Sequence, residues 1–263
     1  MRQPILIDDL EARCLFADII NITTLGNDLF VTGDGGDNTL FVFDPSVTDP
    51  DSAFKFVIAQ NEGTEFVLNG KRLASSFFGS PNRYDHAYFD TGDGDDVLTI
   101  GAGDFGVVRV NLGDGNNRLG IGGNLQALEV FGSAGDDVIS FGGFAKITGN
   151  TSLFPGSGRD RVYFTRSTLG DDRVNESPFL GGKLWVQKQS GPLRLTADRL
   201  TVRRETVIST GNSIDRVTFA NCDFGRQIII GTRGNDDVID TRGSVFRATY
   251  LLFPGAGDNT VLE

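Results

Sequence analysis

The sequence has few of the residues that build disulfides, metal centres or membrane segments. Its 263 residues include two cysteines, Cys14 and Cys222, and one histidine, His86. Two cysteines do not make a disulfide framework, and no apolar run approaches the roughly 18 residues of a membrane-spanning helix. With a net charge of −11, the chain also lacks the clustered Lys and Arg that bind a phosphate backbone. We therefore expect no nucleic-acid partner and no transmembrane segment.

Signals for helices and for catalysis are also scarce. Outside residues 8–17, no long stretch has the apolar period of a helix. Serine is plentiful, but no Gly-x-Ser-x-Gly nucleophile elbow accompanies it. His86 follows Asp85 as an isolated pair, which indicates a structural or solvent-facing role. The sequence therefore favours an all-β protein and no enzymatic activity.

Glycine, by contrast, is abundant, with 35 residues, nearly twice the usual share of about 7%. Most of the excess lies in an acidic loop that runs into a short apolar strand and occurs seven times. The last Asp or Asn of each loop serves as a marker: Asn38, Asp96, Asn117, Asp137, Asp160, Asp237 and Asn259, with a weaker copy at Asp215. Several markers lie 20–23 residues apart. A fixed period of this length is typical of stacked repeats.

Apolar and polar residues alternate after each marker. The position two residues on holds Leu98, Leu119, Ile139, Val162, Val217, Ile239 and Val261, and the position four residues on holds Ile100, Ile121, Phe141, Phe164 and Phe219. This alternation predicts a strand with one buried face, and stacking in register would align the apolar columns in a narrow core. The predicted fold is a single-stranded parallel β-helix, or β-solenoid, with about 20–23 residues per turn.

Two stretches break the period and divide the chain. Residues 1–20 are predicted to be an N-terminal sorting or capping segment, and residues 21–263 a β-solenoid. Insertions are expected near 45–85 and 171–208, and in the first of them residues 54–58 and 64–68 read as a hairpin, followed by a tight turn at Asn69-Gly70. The alternative is two β domains joined near residue 175.

The loops resemble the calcium-binding nonapeptide of the repeats-in-toxin family, Gly-Gly-x-Gly-x-Asp-x-U-x, where U is a large apolar residue. Gly92, Gly94, Asp96 and Leu98 match it. The resemblance implies calcium held by carboxylates and loop carbonyls of successive turns. The candidate metal ligands are Asp93, Asp95, Asp96, Asp114, Asn117, Asp136, Asp137, Asp160, Asp236 and Asp237. That family has two nonapeptides per turn, whereas this chain has one loop per turn.

Electrostatics leaves a second interpretation of the same residues open. Equivalent residues of stacked turns lie about 4.8 Å apart, and two carboxylates at that distance repel by roughly 3 to 4 kcal/mol at an effective dielectric near 20. A row of them needs cations or neutral spacers, and Asn117 lies between Asp96 and Asp137. The Asp and Asn residues are therefore either calcium ligands or turn formers that bind no metal.

The N-terminal residues resemble the Leu-Glu-Pro-Arg-x-Leu-Leu-x-Ala motif that opens many large extracellular proteins of planctomycete bacteria. Leu10, Glu11, Arg13, Leu15 and Ala17 match that motif, whereas position 12 is Ala instead of Pro. The resemblance implies an extracellular or cell-surface location. A short amphipathic cap over the open end of the solenoid is the structural alternative.

These observations favour a secreted or cell-surface structural or adhesive module, stabilised in part by calcium. Its expected partner is an unidentified cell-surface component or polysaccharide, and the solenoid ends could associate with one another. The enzymatic alternative is a polysaccharide lyase or hydrolase, because parallel β-helices often host them. Its best candidate groove is a basic run with Trp185: Lys183, Lys188, Arg194, Arg199, Arg203 and Arg204.

Overall fold

The fold is known from a computed structural model that describes residues 19–47, 49–54, 56–60, 65–74, 77–81, 83–101, 103–171 and 181–263. In chain order the strands are β1 (Ile19–Leu25), β2 (Asp28–Thr32), β3 (Thr39–Phe43), β4 (Phe56–Gln60), β5 (Glu65–Leu68), β6 (Lys71–Arg72), β7 (Phe77–Ser80), β8 (His86–Asp90), β9 (Val97–Ile100), β10 (Asp104–Asn111), β11 (Arg118–Ile121), β12 (Asn124–Phe131), β13 (Val138–Phe141), β14 (Lys146–Ile147), β15 (Thr151–Phe154), β16 (Asp160–Thr165), β17 (Thr168–Leu169), β18 (Leu184–Gln187), β19 (Leu193–Asp198), β20 (Thr201–Val202), β21 (Thr206–Ser209), β22 (Arg216–Ala220), β23 (Asp223–Phe224), β24 (Ile228–Gly231), β25 (Val238–Asp240), β26 (Val245–Phe246), β27 (Tyr250–Phe253) and β28 (Thr260–Leu262).

The strands form two sheets that face each other across one core. The second sheet has 11 strands, β3, β4, β7, β9, β11, β13, β16, β19, β22, β25 and β28, and the remaining 17 form the first sheet. From β8 onward each strand pairs in parallel with its equivalent one turn away, as β11 does with β9 and β13. The described residues contain one helical segment, a 3-10 turn at Pro45–Val47. The predicted parallel β-solenoid is confirmed.

The register of the second sheet confirms the predicted apolar columns. Leu98, Leu119, Ile139 and Val162 stack in one column, and Ile100, Ile121, Phe141 and Phe164 stack in the next. All eight side chains are buried. The narrow core arises because each turn contributes like residues at the same two positions, so the apolar surface of one turn covers that of its neighbour.

Each turn has a third side that the sequence did not reveal. The two-residue strands β14, β17, β20, β23 and β26 pair with one another along the axis. Their inward residues include Ile147, Leu169, Val202 and Phe224, which are completely buried. Two residues are too few to show an alternation, so this side of the solenoid had no periodic signal in the sequence.

The irregular N-terminal part closes one end with antiparallel strands. In the second sheet β4 lies between β3 and β7 and is antiparallel to both, and in the first sheet β1 is antiparallel to β2. The predicted hairpin of residues 54–58 with 64–68 is wrong, because β4 and β5 belong to different sheets. The tight turn occurs as predicted between β5 and β6, where Asn69 and Gly70 have φ of 47° and 79°.

Residues 184–209 are regular turns, although the sequence suggested an insertion at 171–208. The strands β18 and β19 pair in parallel with β15 and β16, and β21 pairs with β18. The motif escaped detection because Leu193 takes the marker position, in register with Asp160. Most of the predicted sorting or capping segment at residues 1–20, and residues 8–17, where the sequence allows a helix, lie outside the described residues. Cys222 is buried, as a small apolar residue would be.

Candidate functional site

The marker residues form a hydrogen-bonded column inside the solenoid, interrupted once between Asp160 and Leu193, which we call the inner ladder. In each step the Oδ1 atom of one residue accepts a hydrogen bond from the backbone N–H of the equivalent residue one turn earlier. The steps are Asn38 to Asp96 at 2.7 Å, Asp96 to Asn117 at 2.9 Å, Asn117 to Asp137 at 2.9 Å, Asp137 to Asp160 at 2.9 Å, Asp215 to Asp237 at 2.8 Å and Asp237 to Asn259 at 2.9 Å. These side chains satisfy backbone donors at the corners, where a buried N–H would otherwise have no partner.

Asparagine and aspartate fill the same position with different consequences. The Nδ2 atom of Asn38 donates to the Gly36 carbonyl at 2.7 Å, and that of Asn117 donates to the Gly115 carbonyl at 3.2 Å. The Oδ2 atoms of Asp96 and Asp137 are buried without a hydrogen-bond partner. A protonated carboxyl could donate as the amide does, whereas a carboxylate can only accept.

The titration of the inner ladder follows from this burial. Loss of solvation raises the pKa of Asp96 to about 6 and that of Asp137 to about 7. Burial also raises the pKa of Asp160 and of Asp215. The ladder therefore holds protonatable carboxyl groups near neutral pH, and their electrostatic repulsion falls as they take up protons.

One turn has unusual residues at two positions, the marker and the corner five residues before it. Other turns have Thr91, Thr210 or Thr232 at the corner. This turn has Lys188 at the corner and Leu193 at the marker position. The Lys188 ammonium points inward, is buried and contacts Oδ2 of Asp160. Its Nζ also donates to the Gly156 carbonyl at 3.0 Å. Sequence reasoning assigned Lys188 to a surface groove, and the five-residue spacing to Leu193 was the signal that could have placed it inside.

The acids just before the markers form a second row on the outside, which we call the outer ladder. Here the side chain accepts from the following turn: Asp95 Oδ1 from the Asn116 N–H at 2.7 Å, and Asp136 Oδ1 from the Arg159 N–H at 2.8 Å. Asp236 accepts from Asp258 in the same way at 2.8 Å. The two ladders thus clamp each corner from both sides.

The predicted metal ligands fall into these two environments. Five of them, Asp96, Asn117, Asp137, Asp160 and Asp237, are buried in the inner ladder, and the other five, Asp93, Asp95, Asp114, Asp136 and Asp236, are exposed on the loops. The backbone separates the two groups. Within the described part of the chain, no group of three or more His, Cys, Asp or Glu side chains is arranged to hold a metal ion.

A groove lies on the outer face of the first sheet. It has a volume of about 430 Å³ and crosses the turns that contain β15, β18, β21 and β24. Trp185 lies in it with 48% of its surface exposed. The polar residues along its edge are Asn150, Ser152, Lys183, Glu205 and Gln227.

The basic run does not assemble into one surface. Lys188 and Arg204 are buried, and Lys183 pairs with Glu205 at 3.2 Å. Arg199 pairs with its neighbour Asp198 at 2.7 Å. Residues adjacent in the sequence point to different sides of the solenoid, so only Lys183 reaches the groove around Trp185.

The solitary histidine lies on the outer face of the first sheet, far along the axis from the groove. The His86 Nδ1 atom is 2.9 Å from the Asp28 Oδ1 atom, and both residues are substantially exposed.

The described residues contain no helix of the length and apolarity needed to cross a bilayer. No protein-family model, curated protein or solved structure matches the chain.

Proposed function

We propose that the chain is a secreted or cell-surface structural module whose first sheet binds a polysaccharide without cleaving it. The observation that carries the proposal is Trp185, a large aromatic ring half-exposed in a groove with a polar edge. Sites for small molecules and sugars combine aromatic surface with a few placed polar groups. A contiguous exposed apolar patch rimmed by polar residues marks an interaction site or a ligand-binding groove.

The aromatic surface continues along the solenoid axis. The Phe154 ring lies 6.2 Å from the Trp185 ring between centroids, and the Phe131 ring stacks on Phe154 at 5.1 Å. These side chains point outward from successive turns of a rigid sheet, so the platform is preformed. The apolar face of a sugar ring would pack on the indole, and its hydroxyl groups would reach Asn150, Gln227 and the Lys183–Glu205 pair.

Binding fits the groove better than hydrolysis. Among the described residues that line it, Glu205 is the only carboxylate. Burial raises the pKa of Glu205, but the hydrogen bond from Lys183 and the charges of Lys183 and Arg204 outweigh burial, so its pKa lies below the usual value. A general acid needs a raised pKa and a second carboxylate at about 5 to 10 Å.

The proposal also includes an extracellular location of the protein and bound calcium. The extracellular location rests on the N-terminal motif, residues 10–17. We place calcium on the exposed loop acids Asp95 and Asp114 together with loop carbonyl oxygens, because these two carboxylates lie on adjacent turns in contact with solvent. The acids of the inner ladder are instead buried and out of contact with solvent.

Fluorescence tests the binding directly, since Trp185 is the only tryptophan of the chain. A panel of soluble neutral and acidic polysaccharides is titrated into the protein while the indole emission is followed. We expect saturable quenching or a blue shift with at least one polysaccharide, and loss of retardation for Trp185→Ala in affinity electrophoresis with that polysaccharide. Phe253→Ala, another exposed aromatic of the first sheet, is the matched control and should keep full binding.

Two results would overturn the proposal. An unchanged spectrum with every polysaccharide, together with equal mobility of Trp185→Ala and the parent protein, would remove the groove as a binding site. Release of new reducing ends or unsaturated sugars during incubation would instead establish the enzymatic alternative. Glu205→Gln should leave binding detectable, and abolition of product release by that change would identify Glu205 as a catalytic residue.

A further inference from the structure

We propose that Lys188 and Asp160 condense to an intramolecular isopeptide bond that links two turns of the solenoid covalently. The two side chains come from residues 28 positions apart in the sequence and meet at one corner of the core. Their side-chain exposures are 0% and 1%. This inference is independent of polysaccharide binding, because it concerns the interior of the solenoid and not the groove around Trp185.

The contacts hold the two groups in a reactive arrangement. The Lys188 Nζ contacts the Asp160 Oδ2, and its bond of 3.0 Å to the Gly156 carbonyl orients the amine. Reactants held in contact inside a protein behave as if present at a very high concentration. The backbone leaves little freedom to separate them, since Asp160 begins β16 and Lys188 immediately follows β18.

The inner ladder supplies the activation that an acyl transfer needs. The backbone N–H of Asp137 donates to the other carboxyl oxygen, Oδ1 of Asp160, at 2.9 Å. When the amine attacks the carboxyl carbon, negative charge develops on Oδ1, and a fixed backbone donor in a dry site stabilises it. The same hydrogen bond that orders the ladder therefore acts as a one-donor oxyanion site.

The reaction balances without any further reactant. A bond forms between the Lys188 Nζ and the Asp160 Cγ, and the bond from Cγ to Oδ2 breaks. Oδ2 leaves as water with two of the three ammonium protons, and the third proton stays on the amide nitrogen. An ammonium and a carboxylate become one neutral amide, so the buried pair of charges, which is costly to keep out of water, disappears.

The position of the pair in the fold supports a role for the link. Leu193 replaces the marker acid in the turn of Lys188, so Asp160 receives no ladder side chain from that turn, and its own N–H donates to the Pro192 carbonyl at 3.0 Å instead. The ladder is thus interrupted between Asp160 and Leu193, and it resumes where the Leu193 N–H donates to Asp215 Oδ1 at 2.7 Å. A covalent bond here would join the two turns where the hydrogen-bonded column is broken.

Mass spectrometry of the full-length protein tests the proposal. The denatured chain should be lighter than its sequence mass by one water molecule, both after purification and after prolonged incubation in the folded state. Trypsin should fail to cleave after Lys188, so that peptide 184–194 remains whole and carries the dipeptide Asp160-Arg161 on the lysine. An intact sequence mass with normal cleavage after Lys188 would show a simple buried ion pair and overturn the proposal.

Two variants separate the link from nonspecific dehydration. Lys188→Arg keeps the positive charge but cannot form this amide, so the branched peptide should be absent. Lys183→Arg changes a partly exposed lysine that pairs with Glu205 at 3.2 Å, and the branched peptide should persist. Loss of one water in both variants would place the dehydration elsewhere and refute the assignment. The measurement on the parent protein does not depend on the folding of either variant.

Discussion

The rings of Phe141 and Phe164 stack in the core with their centroids 4.4 Å apart and their planes inclined by 15°. Both side chains are about 1% exposed, and they occupy the same position of adjacent turns. The pair shows how the solenoid builds its core, since a residue packs mainly against its own equivalent one turn away. Interactions that repeat along one axis make the stability approximately a sum over neighbouring turns.

Truncation of either ring should be costly and the two changes should be coupled. Phe141→Ala and Phe164→Ala should each lower the free energy of unfolding by about 3 to 5 kcal/mol, because each leaves a cavity in a narrow core. The double variant should deviate from the sum of the two, since the rings touch. Chemical denaturation measures all three, with outward-facing Thr99→Ala as the control. Additive losses below about 1 kcal/mol would contradict the stacking.

Glycine is required at the loop corners and dispensable at some strand ends. A Cβ atom on Gly135 would lie 1.9 Å from the Gly115 carbonyl oxygen, and the residue has φ of +127°. We expect Gly135→Ala to lower the melting temperature strongly, because the backbone of the adjacent turn blocks the methyl group. Gly142 has no atom within 4 Å of such a Cβ, so Gly142→Ala is the matched control. Equal melting temperatures for the two variants would argue against close stacking of the loops.

The inner ladder should make the protein less stable as the pH rises. The pKa values of Asp96 and Asp137 are raised from 3.8 to about 6 and about 7, so the folded chain binds more protons than the unfolded chain between these limits. Stability should therefore fall from pH 4 to pH 7 and remain lower above pH 7. Thermal unfolding across this range measures the trend.

Replacing one ladder acid by its amide isolates this effect. Asp137→Asn retains an acceptor for the Asn117 N–H and supplies a donor for the carbonyl two residues earlier, as Asn117 does. It should stabilise the protein at pH 8 by an amount on the order of 3 kcal/mol and have little effect at pH 4. The exposed Asp93→Asn should show no such difference. A loss of stability for Asp137→Asn that is equal at both pH values would show that the effect does not follow protonation of this carboxyl, and would contradict its raised pKa.

Calcium should stabilise the protein through the exposed loops. A cation that binds only the folded chain adds about 2.7 kcal/mol at a hundredfold excess over its dissociation constant. We expect calcium to raise the melting temperature more than magnesium, which requires a tighter octahedral site. Combining Asp95→Asn with Asp114→Asn should remove the difference, whereas the buried Asp96→Asn should preserve it. An identical calcium response in all variants would move the site away from these acids, and no heat of binding up to about 10 mM, above the millimolar range of extracellular modules, would leave the protein without one.

The parts of the fold that could be predicted are those with local patterns that repeat. The positions of Leu98, Leu119 and Ile139 predict a buried column, because alternation within four residues decides which side of a strand faces inward. The same method failed at Leu193, where the marker acid is absent although the turn is regular. The predicted pairing of β4 was also wrong, because β4 pairs with β3 and β7. Short-range patterns in the sequence do not indicate which strands pair near the edge of a sheet.

The sequence by itself determined the period, the glycine corners and the inward-facing columns of the second sheet, since each depends on residues only a few positions apart. Only the tertiary structure decided what the acidic residues and the basic run do. The neighbouring acids Asp95 and Asp96 lie on opposite sides of the backbone, Asp95 exposed and Asp96 buried, and loss of solvation raises the pKa of Asp96. Lys188 turned inward to Asp160, while Trp185, three residues before it, faces the groove. Solvation and contacts between turns are set by atoms far apart in the chain, and no window of sequence contains them.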